Sequence, residues 1–114
     1  MTTLACLALI VYMEARSEPE LAQTLVAQVA VNRAKSEGTT ICKSMRKPRS
    51  YSFYWDGRRN KITEKEVYSS VTKVANRVLT QDSIANRLYF NECSLGKRYK
   101  SSFKIKKVGR LCFY

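Results

Sequence analysis

Residues 3–16 read TLACLALIVYMEAR. From Leu4 to Met13 no residue is charged, so a helix over this stretch is apolar on most of its faces. Such a helix belongs at the centre of a domain. The apolar run of ten residues is too short to span a bilayer. It also lacks the basic lead and small-residue cleavage site of a signal peptide. Pro19 ends the helix, because the residue before a proline is pushed out of the helical region. Ser17-Glu18-Pro19-Glu20 then looks like a new start, with Ser17 as cap, Glu20 as its capping-box partner and Pro19 in the first turn.

Working outward, the second helix is expected from about Glu18 to Lys35, with Leu21, Leu25 and Val29 in one stripe beside Ala22, Val26 and Ala30. Thr39–Arg46 reads as a short helical turn. Residues 47–61, KPRSYSFYWDGRRNK, carry loop punctuation around four aromatic residues. The next helix starts at Thr63 as cap, with Glu66 as capping-box partner and Ile62 and Val67 as hydrophobic staple. Its stripe is Val67, Val71, Val74 and Val78, joined by Ala75 and Leu79. Beyond residue 81 the chain gives short β-like pieces at Arg87–Asn91, Phe103–Val108 and Leu111–Tyr114. The fold class expected is α+β, mostly α-helical, one domain over residues 1–114 with short β pieces in the C-terminal third.

Histidine is absent from the 114 residues. That removes Ser-His-Asp triads, Cys-His peptidases, His-ligated zinc amidases and HExxH proteases. Acid–base chemistry falls to carboxylates, Lys, Tyr or Cys. Cys6, Cys42, Cys93 and Cys112 form no CxxC pair, so no metal site and no cofactor are expected. Four cysteines allow three disulfide pairings, and four free thiols are also open; Cys6 reads as a small core residue. The formal charge is +12, and it is uneven: residues 1–42 net −1 and residues 43–114 net +13. The basic part asks for a polyanion, such as a cell-envelope polymer or nucleic acid.

Among the nine acidic residues Glu14 stands out. It closes a strongly apolar helix, partly desolvated and near the negative end of the helix dipole. Both effects raise a carboxyl pKa, as a general acid requires. The alternative is a surface Glu paired with a nearby Arg. Glu18 and Asp56 are the possible second carboxylates, although Asp56 before Gly57 also reads as a turn residue. The remaining carboxylates are explained by capping, turns or strand ends.

Tyr12-Met13-Glu14-Ala15-Arg16-Ser17-Glu18-Pro19, followed by Ala27-Gln28-Val29-Ala30-Val31-Asn32-Arg33, resembles the "Y-x-EARGE-P … VA-x-V-x-x-NR" signature of the SleB/CwlJ-like cell wall hydrolases. Thr40-Ile41-Cys42 resembles the family's "TIC" turn, and Ser50-Tyr51-Ser52-Phe53 stands at its "QFSF/W" motif. Tyr89-Phe90-Asn91 resembles "YHN", and Gly109-Arg110-Leu111-Cys112-Phe113-Tyr114 resembles "GNHxFY". The chain departs from the pattern at Ser17 (for Gly), at Ser50 (for Gln), and at Phe90 and Leu111, which replace both histidines. The resemblance implies a small lysozyme-like or lytic-transglycosylase-like domain that cleaves peptidoglycan glycan strands, with Glu14 as the catalytic acid.

Cleaving the bond between MurNAc and GlcNAc needs an acid for the departing oxygen, and hydrolysis needs a second carboxylate as well. A lytic transglycosylase works with one Glu, and that route is preferred over muramidase hydrolysis. Tyr51, Ser52, Phe53, Tyr54 and Trp55, with Tyr89, Asn91 and Tyr114, are the expected substrate-binding residues; some of these aromatics could equally be core. Asn32 and Arg33 are expected to brace helix packing. The expected partners are peptidoglycan and the anionic bacterial envelope, with the protein acting as a monomer. A nucleic-acid-binding module is the rival reading, and a non-catalytic cationic envelope-disrupting protein a third. The setting expected is a bacteriophage endolysin, bacteriolytic and so antimicrobial, made in the host cytoplasm and released to the wall.

Overall fold

Thr3–Ala15 forms α1, in a computed structural model that describes residues 1–57, 61–81, 87–95 and 106–114. Thr2 starts it, its side chain accepting the Ala5 N–H at 3.0 Å. Cys6 through Met13 are all buried, so the helix runs through the core as its apolar sequence predicts. Leu7, Leu9, Ile10 and Val11 each contribute about 1.5–3 kcal/mol by leaving water.

Four further α-helices follow it among the described residues. The second, α2, spans Glu20–Glu37. It begins later than its sequence suggests because Pro19, not Ser17, occupies the capping position and no side chain caps it. Ser17 instead faces Arg110, and Glu20 pairs with Arg77 at 3.1 Å. Leu21 is 51% exposed, so the buried stripe starts at Ala22 and continues through Leu25, Val26 and Val29. Gly38, at φ 67°, ends α2 in the left-handed conformation, and the Thr39 N–H returns to the Ala34 carbonyl. Next come α3, Ile41–Arg46, started by the Thr40 side chain, and α4, the single turn Ser52–Trp55. The last helix, α5, spans Lys65–Leu79 and buries Val71, Val74, Ala75 and Val78 against α1 and α2.

Thr63 does not cap α5; Glu64 holds that position without a side-chain hydrogen bond. The Tyr12 hydroxyl does the work from α1, accepting the Thr63 and Glu64 N–H groups at 3.2 and 3.1 Å. A capping box is a local device, and this one is overridden by a buried phenol 51 residues away. Ile62 and Val67 still pack on the core as partly buried neighbours.

The C-terminal part forms a three-stranded antiparallel sheet in the order β1-β3-β2, with β1 Phe90–Glu92, β2 Lys106–Val108 and β3 Leu111–Phe113. Phe90 lies opposite Phe113 with ring centroids 5.9 Å apart. Gly109-Arg110 closes the β2–β3 hairpin, and Gly109 at φ 59° is the glycine such a two-residue turn requires. The first β piece is thus shifted to Phe90–Glu92. Positions 103–105 of the second, and Asp82, lie outside the described residues.

Two disulfides staple the chain. Cys6–Cys42 joins α1 to α3, and Cys93–Cys112 joins the residue after β1 to β3. Cys6 is therefore buried as expected, and also cross-linked. In the chain-entropy view, loops of these lengths contribute about 3–4 kcal/mol each. Among the described residues no helix is long and apolar enough to cross a membrane.

Candidate active site

Glu14 sits where α1 leaves the core, half-buried between buried Met13 and Ala15. It opens onto a cleft of about 440 Å³, whose other lining residues are Ser17, Glu18, Ser52, Phe90, Asn91, Glu92, Arg110 and Leu111, with Met13 at the floor. The walls come from three places: the α1–α2 corner, the start of α4, and the sheet with its β2–β3 turn.

The corner is held from several directions. Gln23, buried on α2, donates its side-chain amide to the carbonyls of Ala15, Arg16 and Glu18 at 3.2, 3.5 and 3.3 Å. Glu18 turns the other way. Its carboxylate accepts the Arg110 backbone N–H at 2.8 Å and the Arg110 Nε at 3.2 Å, and only 6% of its side chain is exposed. Arg110 also donates to the Ser17 hydroxyl at 2.9 Å. Gly109 must be glycine here for a second reason: a Cβ would meet Pro19 Cδ at 2.9 Å.

On the α5 side, Arg16 pairs with Glu64 at 3.2 Å and lies over the Tyr12 ring, which meets Tyr68 edge-on. Two N–H donors, that of Glu64 first, hold the Tyr12 hydroxyl below its ordinary pKa; burial opposes them and the Arg16 charge adds to them.

Of the residues expected to form the site, Glu14, Glu18, Ser52 and Asn91 share this cleft. Asn91 donates to the Tyr114 hydroxyl at 3.0 Å, and Tyr114 stacks on Tyr89 at 5.7 Å. These two tyrosines therefore continue the same wall. Tyr51 and Phe53 are a different matter. At 2% and 0% exposure they are core, and neither ring has a face to offer a sugar. The reason is the α4 turn, which points alternate positions inward from a segment that reads as a loop. Tyr54 and Trp55 meet edge-on, and Trp55 is exposed, but neither lines the cleft; Asp56 ends α4 and does not line it either.

Six lining residues were not among those expected to form the site: Met13, Ser17, Phe90, Glu92, Arg110 and Leu111. Glu92 is hidden because a carboxylate at a strand end looks like solvation. At Phe90 and Leu111, where the family pattern has imidazoles, this cleft has apolar wall.

A second cleft of about 280 Å³ lies alongside, lined by Arg33, Glu37, Lys47, Arg49, Ser50 and Tyr89 among others. Asn32 braces α2 as expected, donating to the Arg87 carbonyl at 2.9 Å. Arg33 does more than brace. It lies over the rings of Tyr51 and Tyr89, at 4.7 and 5.7 Å, and donates to the Ser50 carbonyl. Burial pushes the pKa of the Tyr51 hydroxyl up to about 12, the Arg33 charge and hydrogen bond opposing. Burial also works to raise the Glu37 carboxyl, but the nearby Ser44 hydroxyl and Lys47, 3.4 Å away, outweigh it and hold the group below its ordinary value.

The family model described as Cell Wall Hydrolase matches residues 17–114. The chain belongs to the cell wall hydrolase family. The matched stretch carries the sheet, α2 to α5 and the β2–β3 turn; α1 with Glu14 precedes it. The hydrolase is also similar to two solved structures that do include that helix. Against the catalytic domain of the Bacillus cereus SleB protein it has 25% identity and a TM-score of 0.71, covering 97% of this chain and 88% of that one. Against the catalytic domain of the germination-specific lytic transglycosylase SleB from Bacillus anthracis the identity is 27%, the TM-score 0.72 and the coverage 97% and 92%. No curated protein matches the hydrolase significantly. Its fold is therefore lysozyme-like and mostly helical, with the small sheet at one end, and it is an enzyme of cell-wall peptidoglycan degradation.

Proposed function

We propose that the hydrolase cleaves the MurNAc–GlcNAc β-1,4 bond as a lytic transglycosylase, with Glu14 as its single acid and base. The observation that carries this reading is the position of Glu14, half-buried on a cleft whose neighbouring carboxylate Glu18 is already engaged by Arg110. General acid catalysis needs a carboxyl group placed within reach of the departing oxygen. Glu14 gives its proton to the glycosidic oxygen as the bond to the muramoyl C1 breaks. The muramoyl 6-hydroxyl then attacks C1 and returns its proton to Glu14. One bond forms, one breaks, and no water is consumed, so the product carries a 1,6-anhydro ring. In this reading Ser52 and Asn91, which line the cleft, hydrogen-bond the sugars, and Tyr89 and Tyr114 are the stacking wall.

The second reading is muramidase hydrolysis of the same bond. It is favoured by Glu92, a carboxylate on the same cleft that could activate water. Digestion of purified peptidoglycan tests both readings. Wild type should release anhydro-muropeptides and Glu14→Gln should release none. Reducing ends that disappear in Glu92→Gln would establish hydrolysis instead. Residues 1–114 act in this reading as one catalytic domain and as a monomer. The role that suits the +12 charge is a bacteriolytic phage endolysin held to an anionic envelope.

A further inference from the structure

The turn Lys47-Pro48-Arg49-Ser50 breaks a local rule. The Ser50 N–H returns to the Lys47 carbonyl at 3.1 Å, Pro48 fixes the second position, and Arg49 takes the third at φ 67°. A turn of this kind calls for glycine or asparagine at that third position. An arginine held there is strained, and such strain collects at binding sites. Arg49 is exposed, lines the 280 Å³ cleft, and makes no ion pair among the described residues.

The rest of that cleft is already arranged. The Arg33 guanidinium is sandwiched by its contacts with Tyr51 and Tyr89, and Ser50 takes one of its five donors. Lys47 occupies Glu37, the one acid of the lining. Three cations against one anion leave the cleft positive. It also adjoins the Glu14 cleft. Tyr89 stacks on Tyr114, whose hydroxyl is bonded by Asn91 of the Glu14 cleft. On the opposite side Ser50 lines one cleft and Ser52 the other. Tyr89 and Asn91 are two residues apart, about 7 Å along extended chain.

From this we infer that the cleft is a subsite for the carboxylates of the peptide arm on the glycan, with Arg49 and Arg33 as the recognising cations. The inference rests on the proposed reading of the Glu14 cleft as the glycan site. Peptidoglycan's acidic groups sit on peptide arms carried by its muramoyl sugars, so a strand bound across Glu14 brings one beside the cleft. Guanidinium groups match carboxylates in a paired fork. A phosphodiester polymer would satisfy the same charge but has no such tether to the cleaved bond.

The variant that tests this is Arg49→Gly, because glycine suits the turn and the fold is kept. In the inactive Glu14→Gln background, binding of a soluble peptide-bearing disaccharide oligomer is measured against the same oligomer stripped of peptide by an amidase. The expected result is that Arg49→Gly weakens peptide-bearing binding about tenfold more than stripped binding, and that added salt erases the difference. Equal effects on the two oligomers, or tighter binding to a phosphodiester wall polymer than to the peptide-bearing oligomer, would overturn the subsite. Failure of the glycan reading shows separately: wild type would then release no muropeptide from either substrate.

Discussion

Glu18 and Arg110, 92 residues apart, are joined twice: the carboxylate takes the backbone N–H at 2.8 Å and the guanidinium Nε at 3.2 Å. The turn that carries one wall of the cleft is thereby fastened to the corner that carries Glu14. Glu18 is a positioning residue in this arrangement. Glu18→Ala should leave both donors seeking water, cost about 1–3 kcal/mol of stability and lower the rate of muropeptide release. Glu18→Gln keeps an acceptor for the N–H and should retain activity within about tenfold. Loss of activity in Glu18→Gln as complete as in Glu14→Gln, with an unchanged melting temperature, would make Glu18 a reacting group instead.

Gly109→Ala meets two obstacles at once, a φ of 59° and Pro19 Cδ at 2.9 Å from the new methyl. The expected cost is roughly 1–3 kcal/mol. Denaturant titration measures it. The double variant with Glu18→Ala should lose less than the sum of the two single losses, because both changes release the same turn.

The buried Tyr51 hydroxyl gives the stability an alkaline limit. Its pKa is about 12 in the native protein against 10.0 for an ordinary tyrosine. A raised native value means the contribution is whole below pH 10 and is lost as pH climbs toward 12. The loss is roughly 2–3 kcal/mol over that window. Tyr51→Phe should flatten this part of the stability curve. An unchanged alkaline slope in Tyr51→Phe would show that some other group sets it.

Glu37 acts at the other end of the scale. Its lowered pKa means its contribution is whole above the ordinary carboxylate value of 4.5 and fades as pH falls through the native value below that. Glu37→Gln should melt earlier than wild type near pH 6, and the gap should close in acid. A gap that persists unchanged down to pH 2 would mean that the charge is not what Glu37 contributes.

Cys93–Cys112 binds the end of β1, next to Asn91 and Glu92 of the cleft, while Cys6–Cys42 lies between α1 and α3. Cys93→Ser with Cys112→Ser should therefore slow muropeptide release several-fold while far-UV circular dichroism keeps its helical signal. Activity that falls only in step with helicity would assign the bond a purely global role. Disulfides persist in oxidising compartments, so a chain made in a reducing cytoplasm would gain this bond on reaching the wall.

Much of this was legible in the chain. The buried α1, the stripe of α5 and the short C-terminal strands follow from local pattern, because period and apolarity act over neighbouring residues. Glu14 was legible too, as the one acid closing an apolar helix. What escaped is what tertiary partners decide. Tyr12 displaced Thr63 as the start of α5, Arg110 withdrew Ser17 and Arg77 withdrew Glu20 from capping, and the α4 turn sent Tyr51 and Phe53 into the core. Glu92 and Arg33 gave no sign of their places because a strand end and a helix interior are ordinary homes for charge. Disulfide partners, too, are chosen by the fold and not by spacing.

The corner that Gln23 closes has a consequence for how the molecule opens. Its three carbonyl bonds, the Tyr12 link to the start of α5 and the Glu18 link to the β2–β3 turn tie the end of α1 to segments 8, 52 and 92 residues away. No short piece of the chain can form that corner alone. The amide protons of Arg16 and Glu18, bonded to Tyr12 and Ala15, should exchange with deuterium only when the whole domain unfolds. Glu14 is thus mounted on the part of the enzyme expected to open last.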